Sequence, residues 1–156
     1  PEVGMNIVGS TPYVESVEEM AGVEGRITKT SEGVNIGDGV AFGASDHVAR
    51  FLKEAREYHP YLRFAMNCKF DEEIELGIRK IGWETKEYSR GDQEKAVRES
   101  EGKTMEWGAR EVFSGHGPLI TKIIDRGSEG KEPMLKLVFV DSKTLISNVK
   151  TLLREV

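Results

Sequence analysis

Apolar side chains at Val48, Phe51, Leu52 and Ala55 recur at i, i+3, i+4 and i+7, which predicts a helix over Ser45–Tyr58 with one buried face and a stop at Pro60. A second helix follows from Ile74, Ile78 and Ile81, opened by Asp71 and closed by Gly82. Helical patterns also cover Asp92–Glu99, Thr104–Phe113 and Ser142–Glu155. Runs too short for helices read as strands at Glu2–Val8, Arg26–Lys29, Val34–Ile36 or Gly39–Phe42, Leu62–Phe70, Trp83–Ser89, Leu119–Asp125 and Met134–Val140. Thr11-Pro12 starts a Glu-rich helical or irregular segment running to Met20, which Gly22 and Gly25 then break. Strands and helices alternate without the strict spacing of a parallel doubly wound sheet, and the Asp125–Pro133 loop suits a hairpin. The expectation is one α/β domain over residues 1–156, a mixed sheet covered by helices.

Composition narrows the function. With 156 residues, 38% hydrophobic and 31% charged, the chain is an ordinary globular sequence, and no apolar run approaches the roughly 20 residues of a membrane helix. A net charge of −5 argues against a nucleic-acid partner, which calls for clustered Lys and Arg. Cys68 is the only cysteine, so neither a disulfide framework nor a thiolate metal cluster is expected, and the cytoplasm is the default compartment. His47, His59 and His116 lack the spacing of the usual zinc sites, and no dinucleotide, P-loop or GxSxG motif occurs. Pro1-Glu2-Val3 is not a translation start and reads as a domain excised from a longer chain.

Candidate chemistry gathers where a strand ending on Gly43 meets the helix from Ser45. Ser45 is a suitable N-cap, able to accept from the N–H of His47 or Val48. The helix end carries roughly half a positive charge, and Gly43 and Ala44 are small enough to let a phosphate approach the backbone. His47 lies in that first turn, as an anion ligand or a histidine without a role. Arg26, after Gly25, is either a solvated edge arginine or a two-point phosphate ligand. Around Asp125–Pro133, Gly127 and Gly130 could form an anion nest supplemented by Arg126 and Lys131, or a solvated turn. Asp125 and Glu132 could hold magnesium. Asn67, polar within an apolar strand, and Arg90, after a strand end, complete the candidates for substrate binding. Trp107 reads as core, and a nucleophilic Cys68 would need a base from within its strand.

In order, Gly25-Arg26-Ile27, Phe42-Gly43-Ala44-Ser45 with His47-Val48-Ala49, the 62–70 strand, Glu101-Gly102-Lys103-Thr104 with Trp107-Gly108, and Asp125–Glu132 resemble the ThiN-type thiamine-phosphate synthase domain. The resemblance implies a three-layer α/β/α fold with a mixed sheet, similar to the class II aldolases and the C-terminal domain of hydroxymethylpyrimidine phosphate kinases, but without the aldolase zinc histidines. It implies coupling of hydroxymethylpyrimidine diphosphate to hydroxyethylthiazole phosphate with release of pyrophosphate, and it places the family's functional arginine and histidine on Arg26 and His47. It further implies Mg2+ arriving with the diphosphate, no zinc, a fused N-terminal kinase, an archaeal source, and compatibility with a homo-oligomer. The alternative resemblance is to a thiamine-phosphate-sensing domain of a transcriptional regulator, binding without turnover. A sugar-phosphate aldolase relative has only fold analogy behind it.

Overall fold

A computed structural model describes residues 1–93 and 103–156. The expected helix over Asp92–Glu99 and the Glu101-Gly102 part of the resemblance fall largely or wholly outside the described residues. Seven strands form the main sheet in the order β5-β2-β1-β6-β9-β8-β7, with β1 Asn6–Gly9, β2 Ala21–Val23, β5 Val40–Phe42, β6 Phe64–Lys69, β7 Lys86–Tyr88, β8 Lys122–Asp125 and β9 Met134–Phe139. β3 Ile27–Thr30 and β4 Gly33–Ile36 make a separate hairpin. Among the described residues only the β7–β8 pair is parallel, so the sheet is mixed.

Strand alternation sorts the sheet into two unlike faces. From β9, Leu135, Leu137 and Phe139 meet Met66 and Ile124 under helix α2, Glu72–Ile81, and helix α4, Ser142–Leu152. On the opposite face Val138, Ala65 and Ile123 of these strands and Val8 of β1 meet Phe51, Leu52 and Ala55 of helix α1, Asp46–Tyr58, and Met105, Ala109 and Val112 of helix α3, Lys103–Phe113. Helices therefore cover both faces, which is the expected three-layer α/β/α arrangement. Leu52, Leu62, Ala55 and Leu137 are wholly buried.

β2 corrects the sequence reading of Gly22 as a breaker, whereas Gly25 does stand in the turn that follows, with φ 69. Gly22 lies within the strand because Ser45 packs against it: a Cβ there would come within 3.0 Å of the Ser45 Cβ. Both alternatives, Val34–Ile36 and Gly39–Phe42, are strands in substance, but they belong to different sheets. The Glu-rich segment reduces to one 3-10 turn, Val17–Glu19.

Candidate functional site

A pocket of about 510 Å³ opens at one end of the α1–α3 face, where the apolar pattern of the strands gives way to polar residues. Asn6 pairs with Asn67 across β1 and β6, Asn67 with Lys136 across β6 and β9, and Tyr88 with Asp125 across β7 and β8. Asn6, Asn67, Lys136 and Asp125 are all buried.

Two loops and the start of α1 close over this end. Arg26, Ala44, Ser45, His47, Asn67, Arg90, Gly130, Lys131 and Glu132, all singled out from the sequence, line the pocket together. Gly43 and Gly127 do not. Arg26 has φ 68, the only non-glycine residue in the left-handed region among those described, a conformation that costs roughly 1 kcal/mol. Its Nη1 donates to the Val3 carbonyl at 2.6 Å, holding the guanidinium at the rim. His47 stands exposed at the mouth. Partial desolvation lowers its pKa and the charges of Arg26, Arg90 and Lys136 lower it further, against the opposing pull of Asp46.

Asp125 lies behind the pocket with no exposed surface. Its carboxylate accepts from Arg90 Nε at 3.0 and 3.1 Å, Arg90 Nη2 at 2.7 Å, Lys136 Nζ at 2.8 Å, the Tyr88 hydroxyl at 2.8 Å and the Gly127 N–H at 3.0 Å. Burial alone would raise its pKa, but the Lys136 and Arg90 charges outweigh burial and hold it down at about 2. Lys136 also donates to the Tyr88 hydroxyl, and its own pKa is lowered by burial. Tyr88 reaches this position because Gly108 of α3 has no side chain: a Cβ there would stand 2.4 Å from Tyr88 Cζ.

Four expectations need correction. Ser45 occupies the N-cap position, but its side chain makes no capping bond. Its ψ of 103° differs from the 158° of Asp141 and the −176° of Asp71, both of which cap. The nest is largely spent on itself: Ser128 and Lys131 exchange backbone hydrogen bonds and Gly127 N–H serves Asp125. Arg126 turns away to Glu87 at 2.7 Å and over the Phe70 ring. Asp125 and Glu132 do not fit a magnesium site, because Asp125 is saturated and Glu132 accepts the N–H groups of Glu2 and Val3 at 3.1 and 3.0 Å. No group of three or more His, Cys, Asp or Glu among the described residues could hold a metal.

Asn67 does enter the pocket wall, with its Oδ1 taken by the Asn6 N–H at 2.8 Å. Trp107 packs edge-on to Tyr88, as core. Burial pushes the Cys68 thiol up to about 11, withholding the thiolate a nucleophile needs. Lys136 was missed. A lysine inside the apolar run Met134–Phe139 was the available signal.

Fold and pocket together define an α/β domain with a pocket at one end of its sheet that Arg26, Arg90, Lys131 and Lys136 line. The thiamine-phosphate synthase ThiN family matches residues 1–151. The chain is 34% identical over 142 residues to the thiamine-phosphate synthase ThiN of Methanothermobacter thermautotrophicus, covering 91% of this chain and 75% of that protein. It is 32% identical over 154 residues to the bifunctional thiamine biosynthesis protein ThiDN of Methanocaldococcus jannaschii, covering 97% of this chain but only 35% of that longer relative. The crystal structure of the C-terminal domain of a phosphomethylpyrimidine kinase superposes with a TM-score of 0.90 at 33% identity, covering 97% of this chain and 86% of the other. The chain belongs to the thiamine-phosphate synthase ThiN family. No finding favours the regulator alternative.

Proposed function

We infer that this domain joins a hydroxymethylpyrimidine diphosphate to a hydroxyethylthiazole phosphate, releasing pyrophosphate and forming thiamine phosphate. The observation that carries the reading is the convergence of Arg26, His47 and the uncapped start of α1 on a cation-lined pocket in a chain of this family. A volume near 510 Å³ is in the range of small-molecule sites. The pyrimidine's diphosphate departs from a benzylic-type carbon as the thiazole nitrogen attacks it. That nitrogen carries no proton, so no general base is required, and the protein's main task is to stabilise charge growing on the leaving group. Arg26 and the N–H groups of α1 meet that charge, with His47 donating a hydrogen bond to a phosphate oxygen. Lys131 and Gly130, across the pocket, bind the second phosphate group. Magnesium, if required, would be carried in with the diphosphate and would supply charge neutralisation, with no protein carboxylate assigned to hold it. The names of the bifunctional relative and of the kinase C-terminal domain support action beside a fused kinase on phosphorylated small molecules.

Pyrophosphate release from the two substrates tests this directly. Arg26→Lys keeps the charge but loses the planar two-point grip, and turnover is expected to fall about tenfold or more. His47→Ala lowers turnover more than product affinity, and Lys131→Ala chiefly raises KM. Substrate binding without pyrophosphate release, even beside a kinase domain, would establish the sensor reading.

A further inference from the structure

Lys136 is a buried cation that the reaction sketched above leaves without a task. Its ammonium lies 4.7 Å from the Phe51 ring centroid and 4.9 Å from that of Tyr88, and it donates to Asp125 and to the Tyr88 hydroxyl. Arg90 takes the same carboxylate with Nε and Nη2. One buried carboxylate therefore serves two cations, and the unit carries a net positive charge beside the pocket.

Stability alone gives no reason for this arrangement. A buried charge is costly unless compensated, and an apolar side chain often serves a core as well as an ion pair does. Asp46 and Glu132, the carboxylates on the pocket lining, make no hydrogen bond to Lys136 or Arg90 among the described residues: Asp46 is held by Arg50 at 2.7 Å, and Glu132 accepts two backbone N–H groups and acts on Arg90 only through space. An ammonium has three donors, and two protein acceptors meet that of Lys136 among the described residues. Lys136 and Arg90 both line the pocket.

We propose that Lys136 contacts the bound diphosphate directly as the floor of its site, and that Asp125 is a positioning residue holding Lys136 and Arg90 in register for it. This rests on the reading of the pocket as a diphosphate site. Entry of the anion completes the charge balance that the protein leaves open, so the energy of burying the second cation is returned on binding. Tyr88, bonded to both Lys136 and Asp125, fixes the ammonium laterally.

Lys136→Met keeps the length of the side chain and leaves the Arg90–Asp125 pair in place. Titration calorimetry with inorganic pyrophosphate is expected to show at least about tenfold weaker binding by a variant whose thermal unfolding stays cooperative. Wild-type affinity in that folded variant would overturn the proposal. If Lys136→Met does not fold, nitrogen-15 resonances of labelled lysine side chains in the wild-type protein decide: the Lys136 signal shifts on adding pyrophosphate, and an unmoved signal refutes the contact. Asp125→Asn adds net positive charge but loosens the geometry, so pyrophosphate binding is retained or tightened while kcat falls. Weaker pyrophosphate binding with unchanged kcat would remove the positioning role. Pyrophosphate bound at Lys136 in a protein without turnover would leave this proposal standing and sink the synthase reading. Turnover and binding indifferent to Lys136→Met would do the reverse.

Discussion

Helices α2 and α4 begin under aspartates that satisfy their first turns, while α1 begins under a serine that does not. Asp71 accepts from the Ile74 N–H at 3.0 Å, and Asp141 accepts from the Thr144 N–H at 2.8 Å and its hydroxyl at 2.7 Å. Ser45, pinned against Gly22, makes no such bond, and its helix opens into the pocket. Two of these helix ends are finished by the protein itself; the third is left for a ligand to finish. A helix start is worth most to an anion when no side chain already occupies its N–H groups.

The strongest way to break this contrast is to give α1 a carboxylate like those of the others. Ser45→Asp sets a negative charge where the diphosphate is expected, and pyrophosphate affinity should fall by about tenfold or more without loss of thermal stability. Unchanged affinity by calorimetry would detach the anion from the helix end. A smaller effect separates the caps by stability. Asp71→Ala should cost about 1 kcal/mol in urea unfolding and Asp141→Ala should destabilise in the same direction, whereas Ser45→Ala, with no bond to lose, should cost only a few tenths. Equal losses at all three positions would show that Ser45 caps in solution.

The subtlest effect concerns ionisation. In the free protein, desolvation and the surrounding cations lower the His47 pKa. A bound anion offsets those cations, so the pKa rises on binding, and by linkage pyrophosphate binds more tightly as pH falls through the imidazole's titration. Imidazole proton shifts followed against pH, with and without pyrophosphate, measure this. A pKa that stays put or drops would place the anion away from His47.

What could be read from the sequence was what depends on near neighbours. The α1 and α2 periodicities, the Asp71 cap and the Gly82 stop are all settled within a few residues, and the helices fall within a residue of the expected bounds. The 126–133 loop was legible as a hairpin for the same reason. The floor of the pocket was not. Arg90 and Asp125 had each drawn notice, one as an anion ligand and the other as a metal ligand, but their partnership depends on the parallel register that sets Tyr88 beside Asp125. Lys136 stands in the otherwise apolar run Met134–Phe139, where neighbours along the chain give no sign of the Asp125 that holds it. The glycine loop misled in another way, because the residues that permit positive φ say nothing about whether the resulting N–H groups are already spoken for.

Gly108 sits in α3, behind the charged floor, and a single methyl group there would overlap the Tyr88 ring. Tyr88 in turn touches both Asp125 and Lys136. The arrangement of charge in the pocket is therefore vulnerable from outside it: an alanine in a helix, ordinarily the mildest of replacements, would be felt as a displaced hydroxyl and then as a misplaced ammonium. A change that improves the local backbone would degrade the electrostatics two contacts away, and the position guarding the site is one with no side chain to inspect.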